Sequence, residues 1–386
     1  MKKIAILHSG DLNEISPGGI SQYIEKIIKY NEKDEITIFG TIDKDSTYIL
    51  GNTYENILEG KKYKFIPVSD NVKKPLSVFY FKNIFRYFYK LNEYDIIYAQ
   101  RMEYALPFMF SKLKNKVVMA VHGSGVYSYL YWGKFIGSIY NFVERLAIYS
   151  SKKVIVLLKR DEFGVNYYKR KFKDKNNKFI YGKVPIDTEI FRKLDKNKVR
   201  EELKIDINEK VLLYFGRLDN NPKRIMLLPY IIKELSERYD NIKCIVIGNG
   251  EDREALIDKI NIMGLKDKFI IKSKLCHGDE LVKYVNSADV SLILSNFEGI
   301  CMSALESLAC GVPVVATDVG DVKEYIRGKF NGKVVENTTD EEVIKNVSNY
   351  LNKYFDNGKV ELDNIFEEYN GKNVMSELKD IYNSIK

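Results

Sequence analysis

The sequence predicts an α/β protein made of two doubly wound domains. Its 386 residues exceed a typical single domain and suit two domains of about 190 residues each. Short apolar runs of strand length alternate with segments whose apolar residues recur at helical spacing, and this alternation runs through both halves. Between the halves, Gly182 and Pro185 indicate a linker. We therefore expect two sheets, each covered by helices.

In the first half, a glycine pair and a histidine follow predicted strands. These strands are expected at residues 3–7, 35–39, 63–68, 95–98, 117–121, 154–158 and 179–181. Gly18 and Gly19 stand between the first strand and the first helix, where glycine lets a ligand approach the backbone closely. His122 ends another strand and begins a glycine-containing loop at 122–134, a favourable place for a ligand contact. Local turn formation and loop packing are the alternative explanations.

In the second half, basic and glycine-rich loops follow the first two predicted strands. We expect strands at residues 211–215, 243–247, 269–271, 290–294, 312–316 and 331–335, and a packed terminal helix after a polar tail. The first loop carries Arg217 and Lys223, side chains suited to phosphate oxygens. The second carries Gly248 and Gly250. Taken alone, the first loop is better explained as a surface basic cluster.

The stretch from residue 289 to 320 reads as strand, loop, helix and strand. Its helix is expected to begin near Gly299 to Met302, at the carboxyl end of a strand, where open α/β sheets bind ligands. Unpaired amides and the helix dipole favour an anion there. A diphosphate suits this position, with Glu298 and Glu306 accepting hydrogen bonds from neutral hydroxyls, as in a nucleotide sugar. Alternatively, Glu298 caps the helix and Glu306 is solvated.

Charge and hydropathy bear on partners and location. The net charge is +8, with +11 in residues 1–190 and −3 in the remainder, so the first half should attract anionic surfaces unless this reflects composition drift. The segment 79–91 predicts an amphipathic helix with a basic stripe, which suits either an anionic bilayer or an ordinary domain surface. No signal peptide or membrane-spanning run is recognised, which favours a cytoplasmic protein whose membrane contact is peripheral.

The sequence lacks the motifs of several other kinds of functional site. The four cysteines are irregularly spaced, without companion histidines, which argues against a disulfide framework or a zinc site. Arg253 stands where a dinucleotide-binding loop after Gly248 needs its third glycine, so no NAD site is expected. P-loop, serine-hydrolase and zincin motifs are missing. Asp43 and Asp45 suit a surface loop better than a metal site, and we expect neither a metal nor a cofactor.

Taken together, these features resemble the family 4 retaining glycosyltransferases, which have the GT-B fold, two Rossmann-like domains facing across a cleft. The matching segments occur in the family's order: P-G-G-I at 17–20, His122, V-P-I-D-T-E-I-F at 184–191, G-R-L at 216–218 with Lys223, G-N-G-E at 248–251, E-G-I-C-M-S-A-L-E at 298–306 and A-C-G-V-P-V-V-A-T at 309–317. They cover most of the chain, and the ordered set is far more specific than any member alone.

The resemblance implies a role for each matched residue. Arg217 and Lys223 would hold the donor diphosphate, Glu306 the ribose and Glu298 the donor sugar, while His122 would bind the sugar near its reacting carbon. His122 and Glu298 are thus the predicted catalytic residues. The predicted donor-binding residues are Gly18, Gly19, Arg217, Lys223, Gly248, Gly250, Glu298, Gly299, Ile300, Cys301, Met302 and Glu306. In this family the departing phosphate is thought to take the acceptor proton, and no metal is required.

Three positions depart from the family pattern. Ile300 replaces the usual aromatic and Cys301 the frequent Gly or Pro, which puts the shape of the phosphate loop in question. Lys223 lies six residues after Arg217 where five is commoner, and Asp321 replaces a frequent glycine after Gly320. Ile300 and Cys301 keep open the alternative of an inactive nucleotide-sugar-binding subunit.

The expected domains are residues 1–183, on the acceptor side, and residues 193–365, which bind the nucleotide sugar. A linker at 184–192 joins them, and a terminal helix at 366–386 is expected to pack back on the first domain. The resemblance implies sugar transfer from a nucleoside-diphosphate donor, UDP slightly favoured over GDP, to a glycan or polyprenyl-phosphate-linked acceptor in cell-surface glycan synthesis. An anionic membrane surface is a candidate partner and nucleic acid is not. A nucleotide-sugar epimerase on the same fold is the other alternative.

Overall fold

A computed structural model describes residues 1–8, 10, 12, 19–70, 76–123, 125–160, 162–272, 278–327, 331–357 and 366–385. The chain forms two compact units. Unit 1 comprises Met1–Pro185 together with Tyr369–Lys386, and unit 2 comprises Ile186–Glu368. Each unit has its own largely parallel sheet, so the expected α/β class with two parallel-sheet domains is confirmed. Within the described ranges, no helix is long and apolar enough to span a bilayer.

Unit 1 contains eight strands within its described residues: β1 (Lys3–Leu7), β2 (Glu35–Ile42), β3 (Tyr54–Leu58), β4 (Lys61–Asp70), β5 (Ile96–Ala99), β6 (Val117–Val121), β7 (Lys153–Val156) and β8 (Phe179–Tyr181). Their order is β3-β4-β2-β1-β5-β6-β7-β8, with β3 antiparallel and the others parallel. Every residue of β5 and β6 is buried, as expected for central strands covered on both faces.

The helices of unit 1 before the linker are α1 (Gly19–Lys29), α2 (Leu76–Ile84), α3 (Phe88–Leu91), α4 (Met102–Ala105), α5 (Gly125–Tyr149) and α6 (Val165–Lys171). Short 3₁₀ turns lie at Phe85–Tyr87, Leu106–Phe108 and Lys112–Lys116. Helix α1 shows why the amphipathic pattern works, because Tyr23, Ile24, Ile27 and Ile28 are buried on one face.

Unit 2 contains six parallel strands in its described part: β9 (Lys210–Phe215), β10 (Ile242–Ile247), β11 (Phe269–Lys272), β12 (Val290–Ile293), β13 (Val314–Thr317) and β14 (Gly332–Val335). Their order is β11-β10-β9-β12-β13-β14. The helices are α7 (Lys196–Leu203), α8 (Asn220–Lys223), α9 (Leu228–Ser236), α10 (Arg253–Ile262), α11 (Asp279–Ser287), α12 (Met302–Ala309), α13 (Val322–Tyr325) and α14 (Asp340–Asn357), with 3₁₀ turns at Ile225–Leu227 and Lys266–Lys268.

The chain ends with α15 (Phe366–Tyr369) and α16 (Gly371–Asn383). Helix α16 packs on unit 1: Tyr382 lies edge-on to Tyr98 of β5, with ring centroids 5.8 Å apart, and its carbonyl oxygen accepts a hydrogen bond from Lys2 Nζ at 2.7 Å. Tyr382 is 1% exposed. The last helix therefore belongs to the core of unit 1, although it is the end of the chain.

Three local expectations were wrong. Strand β3 was missed because it is a half-exposed edge strand; it is joined to β4 through Glu59 and Gly60, both with positive φ, as in a tight hairpin. The segment after Gly123, expected to be a loop, is helical from Gly125, with a break at Gly133 (φ 77°). The segment 79–91 is not one helix, since a 3₁₀ turn separates α2 from α3.

Candidate functional site

The candidate donor-binding residues of unit 2 lie where four neighbouring strands end. Strands β10, β9, β12 and β13 are adjacent and parallel, so their carboxyl ends meet at one edge of the sheet. The loops that follow them carry Gly248 and Gly250, Arg217 and Lys223, Glu298, and Gly320 respectively. In open α/β sheets this edge is where ligands bind.

The two glycines of the loop after β10 are required by its close packing against the loop after β9. Gly248 has φ of 152°, and a Cβ atom there would overlap the carbonyl oxygen of Gly216. Leu218 N–H donates to Asn249 O at 2.9 Å, which ties the two loops together. A Cβ atom on Gly250 would likewise overlap Leu218 and Asp219. These glycines therefore let the strand-end loops lie against each other, a role separate from any ligand contact.

Arg217 is an exposed guanidinium held by a neighbouring carboxylate. Its side chain is 62% exposed, and Nη1 lies 2.7 Å from Asp219 Oδ2. The other oxygen of Asp219 accepts the N–H of Glu251 at 3.2 Å, so one carboxylate links Arg217 to the loop after β10. Tyr214 OH donates to the carbonyl oxygen of Arg217 at 2.7 Å. The backbone of Arg217 is thus fixed, while its guanidinium faces solvent.

Lys223 and Glu298 are brought together, although 75 residues separate them. Lys223 Nζ forms an ion pair with Glu298 Oε1, and the two side chains are only 20% and 15% exposed. Ser295 Oγ donates to the same oxygen at 2.7 Å, and Thr317 Oγ1 fixes the Ser295 carbonyl at 2.6 Å. A fixed cation and a fixed carboxylate therefore lie side by side at the end of β12.

The N-terminus of α12 offers unpaired amides beside this ion pair. Across the described residues, the N–H groups of Ile300, Cys301 and Ser303 donate no hydrogen bond. The N–H of Met302 differs from expectation, because it donates to Ile300 O at 2.9 Å. The Cys301 thiol is 2% exposed, and burial raises its pKa. Cys301 can therefore reach an anion through its amide and not through its side chain.

Glu306 lies in the body of α12 and is 9% exposed. Its charge adds to the burial that raises the pKa of the Cys310 thiol to about 12, whereas Asn286 and Arg192 act in the opposite direction. Nearby, a Cβ atom on Gly320 would overlap the carbonyl oxygen of Gly299, so the loop after β13 rests on the loop that carries Glu298. Glu306 is therefore a largely buried carboxylate on α12.

Arg224 does not join the phosphate-binding candidates. It is 8% exposed and adopts a left-handed backbone conformation. Its guanidinium donates to Asn337 Oδ1 at 3.0 Å and Thr338 O at 2.9 Å, and Nε lies 3.2 Å from Asp340 Oδ1. This arginine is committed to the loop before α14, so Arg217 and Lys223 are the cations that the loop after β9 can offer.

Unit 1 carries a polar cluster at the ends of its central strands, in which His8 and Gln100 are buried and His122 is partly buried. His8, Gln100 and His122 directly follow β1, β5 and β6, which are neighbours in the sheet. His122 Nε2 lies 3.0 Å from Gln100 Oε1, and His8 Nε2 lies 3.1 Å from Ser21 Oγ. An amide oxygen only accepts, so His122 Nε2 carries the proton and its Nδ1 is left as an acceptor.

Both histidines are neutral near pH 7. Burial lowers the pKa of His8 to about 4, helped by the Arg101 charge. Burial also lowers the pKa of His122 to about 3, helped by His8 and Arg101. The ring of Tyr23 packs edge-on against His122, with centroids 5.3 Å apart. Both imidazoles are therefore suited to orienting a hydroxyl rather than to supplying a proton.

The glycine pair of unit 1 is seen in part. Gly19 is the first residue of α1 and is exposed. A Cβ atom at this position would have no other atom within 4 Å. Gly18 lies outside the described residues. Open space at Gly19 is what a close ligand approach needs, and the same helix carries Ser21 and Tyr23, which contact the two histidines.

Some residues of these clusters were not predicted from the sequence. His8 follows its strand just as His122 does, so the same strand-end rule identifies it. Asp219 stands between Arg217 and Lys223, where an acidic residue in a basic loop signals an orienting partner. Ser295 and Gln100 carry no such signal, because their roles depend on which strands become neighbours. Across the described chain, no group of three or more metal-ligating side chains is arranged to hold an ion.

Comparison with known proteins identifies similar chains. Residues 195–372 match the family model "Glycosyl transferases group 1". An uncharacterised glycosyltransferase of Methanocaldococcus jannaschii is 29% identical over 194 residues, which cover 49% of this chain and 48% of that protein. The 2-deoxystreptamine N-acetyl-D-glucosaminyltransferase of Niallia circulans is 25% identical over 243 residues, 60% of each chain. The chain thus spans about half to three fifths of these relatives.

The fold comparison covers the whole chain. The structure of Anabaena HepE in complex with UDP and glucose matches with a TM-score of 0.74 at 16% identity, covering 100% of both chains. At that identity the likeness concerns the fold. The fold match over both units agrees with the expected GT-B fold, and residues 195–372 are similar to the glycosyl transferase family model.

Proposed function

We propose that this chain is a retaining glycosyltransferase that moves a sugar from a nucleoside-diphosphate donor to a glycan or lipid-linked acceptor. The observation that carries the proposal is the Lys223–Glu298 ion pair beside the unpaired amides of α12. A diphosphate attracts the lysine and the amides, and the carboxylate accepts hydrogen bonds from sugar hydroxyls. One site can thus bind both the diphosphate and the sugar of a nucleotide sugar.

The proposed chemistry requires stabilisation of a leaving group. The bond between the anomeric carbon and the phosphate oxygen breaks, and the acceptor oxygen bonds to that carbon on the same face. The acceptor proton passes to the departing phosphate, so no separate base is needed. Negative charge on the diphosphate is stabilised by Lys223, Arg217 and the N-terminus of α12, groups already fixed before the reaction. Glu298 orients the donor sugar, and Glu306 the ribose. No metal is part of this proposal.

The second half of the proposal concerns the histidine cluster. We assign His122 to a sugar hydroxyl, with Nδ1 as the accepting atom, because Nε2 is engaged by Gln100. A neutral imidazole can serve in this way across the physiological range, since its pKa is about 3. We favour UDP as the donor nucleotide, because HepE, which shares the fold, was crystallised with UDP. A polyprenyl-phosphate-linked acceptor, cell-surface glycan synthesis and a cytoplasmic, membrane-peripheral location belong to the same proposal.

A ligand panel and a turnover assay test the function. The panel contains UDP, GDP, ADP and their nucleotide sugars. We expect only the compounds with one of the three bases to raise the melting temperature of the protein, because a ligand that binds the folded state stabilises it by mass action. Incubation of that donor with glycan and polyprenyl-phosphate acceptors should release one nucleoside diphosphate per glycosylated product, with retained configuration, in the presence of EDTA. An altered sugar without acceptor consumption would indicate an epimerase. Nucleotide binding without turnover would indicate an inactive subunit.

A further inference from the structure

Exposed apolar side chains are concentrated on the second part of α5, after the break at Gly133. Phe135 is 79% exposed, Ile139 49%, Phe142 61% and Tyr149 63%. Their spacing of four, three and seven residues places them on one side of the helix. We call these four residues the apolar face of α5. A helix buried in a domain presents such residues to the core, whereas here they face solvent.

The opposite side of the same helix is largely packed, although Tyr140 there is 40% exposed. Gly137, Ala147 and Ile148 are buried. Glu144 is buried as well, where its carboxylate accepts a hydrogen bond from Tyr168 OH at 2.5 Å and pairs with Lys171 at 3.1 Å. The core-facing side is therefore satisfied, and the apolar face has no counterpart among the described residues of unit 1. Large apolar patches on a surface commonly mark an interaction site.

The charges around the apolar face indicate the occupant. Glu144 is the one acidic residue in 133–149, and it is buried, whereas Lys134 and Arg145 are exposed. Lys114 Nζ lies over the Tyr149 ring, 5.2 Å from its centroid, at the end of the face. Unit 1 has 34 Lys and Arg against 20 Asp and Glu, a net charge of +14, while unit 2 has 27 against 33. Such a combination is complementary to an anionic lipid surface.

The segment 79–91, which the sequence suggested as a possible membrane contact, is less suited to binding an anionic lipid surface. Phe88 stacks on Phe108, with ring centroids 4.9 Å apart, and Ile84 is fully buried. Lys90 Nζ donates to Gly51 O at 2.8 Å, so one of its three basic side chains is used within unit 1. This segment fits the ordinary packed domain surface, which was the alternative explanation.

We infer that the apolar face of α5 docks this protein onto the headgroup region of an anionic lipid bilayer. Aromatic rings enter the boundary between headgroups and acyl chains, while Lys134, Arg145 and Lys114 contact anionic headgroups. The inference adds a docking surface to the proposed function, and it is measured without donor or acceptor. Failure of one can therefore be distinguished from failure of the other.

Vesicle binding by the full chain tests the inference. Wild-type protein is sedimented with vesicles of phosphatidylglycerol and phosphatidylcholine, and with phosphatidylcholine alone, at low and high salt. We expect binding to the anionic vesicles to be at least about tenfold tighter and to weaken with salt. The triple variant Phe135→Ser, Ile139→Ser, Phe142→Ser should lose about tenfold or more of that binding. The control Phe85→Ser, Tyr89→Ser replaces exposed aromatic residues of 79–91 and should bind like wild type.

Two results would overturn the inference. Unchanged vesicle binding by a triple variant with wild-type circular dichroism and melting temperature would exclude this face. The other result combines light scattering with the vesicle assay. If the wild-type protein is a dimer that does not bind vesicles, and the triple variant is a monomer, the face binds a second copy of the chain instead. Because the three side chains are exposed, their replacement should leave folding unchanged, which the melting temperature checks directly.

Discussion

Removing Lys223 and removing Glu298 should have opposite effects on nucleotide binding. The two side chains form an ion pair at 20% and 15% exposure, with Ser295 donating to the same carboxylate oxygen. Exposed pairs contribute about 0–1 kcal/mol to stability and breaking a buried pair costs about 3–5 kcal/mol, so this pair falls between. Lys223→Met should therefore lower the unfolding free energy by about 1–3 kcal/mol, because Glu298 keeps only part of its stabilisation.

The effect on UDP affinity follows from the same geometry. A charge-assisted contact to phosphate contributes about 1.5–3 kcal/mol, so Lys223→Met should weaken UDP binding by about 10- to 150-fold. Glu298→Gln keeps the side-chain shape but releases the lysine from its carboxylate. This variant should bind UDP at least as tightly as wild type, and bind or turn over the UDP-sugar less well, since the carboxylate is assigned to sugar hydroxyls.

Calorimetric titration with UDP and with the UDP-sugar measures these affinities, and chemical unfolding measures stability. Lys283→Gln is the matched control, because it removes a lysine from a more exposed ion pair, with Glu202, in the same unit. It should change neither affinity nor stability appreciably. The reasoning would be refuted if Lys223→Met bound UDP like wild type, or if Glu298→Gln lost as much UDP affinity as Lys223→Met.

Two further predictions concern stability. The pKa values of His8 and His122 are lowered from 6.5 to about 4 and about 3. Below pH 6.5 the unfolded chain therefore binds more protons than the folded chain. As the pH is lowered from 6 to 4, the unfolding free energy should fall by up to about 1.4 kcal/mol per pH unit for each histidine. In a background where His277, the third histidine of the chain, is replaced by Gln, urea unfolding at several pH values measures how steeply the unfolding free energy falls with pH. Adding His8→Gln and His122→Gln should make this pH dependence shallower; an unchanged pH dependence would contradict the burial argument. Gly248→Ala should destabilise by more than about 2 kcal/mol, because Cβ overlaps the Gly216 carbonyl, whereas Gly264→Ala, with positive φ but no atom within 4 Å, should cost about 1 kcal/mol; equal losses in thermal unfolding would show that only φ matters.

Much of the fold follows from local sequence patterns. Central strands such as Val117–Val121 are continuous apolar runs, and covered parallel sheets require such runs, so their positions were predictable. Edge strand β3 was not, because Tyr54–Leu58 alternates between half-exposed and exposed residues and includes polar side chains. The strand after Pro313 begins at Val314, two residues later than expected, because proline has no N–H for the ladder.

The sequence predicted which residues belong to the candidate site better than it predicted which of them contact each other. Strand ends identified Arg217, Lys223, Glu298 and His122, but a one-dimensional pattern does not say that Lys223 reaches Glu298 across 75 residues. That contact depends on β9 and β12 being neighbours although two strands separate them in sequence. The exposed face of α5 was hidden for a similar reason, because an apolar stripe is equally typical of a buried helix.

A crystal structure with bound UDP would test the central claim most directly. We expect the diphosphate at the N-terminus of α12, with phosphate oxygens about 3 Å from Lys223 Nζ and from the main-chain nitrogens of Cys301 or Ser303. The carboxylate of Glu298 should then have separated from the lysine. A nucleotide bound elsewhere on unit 2, with the Lys223–Glu298 pair intact, would contradict the assignment of the donor site.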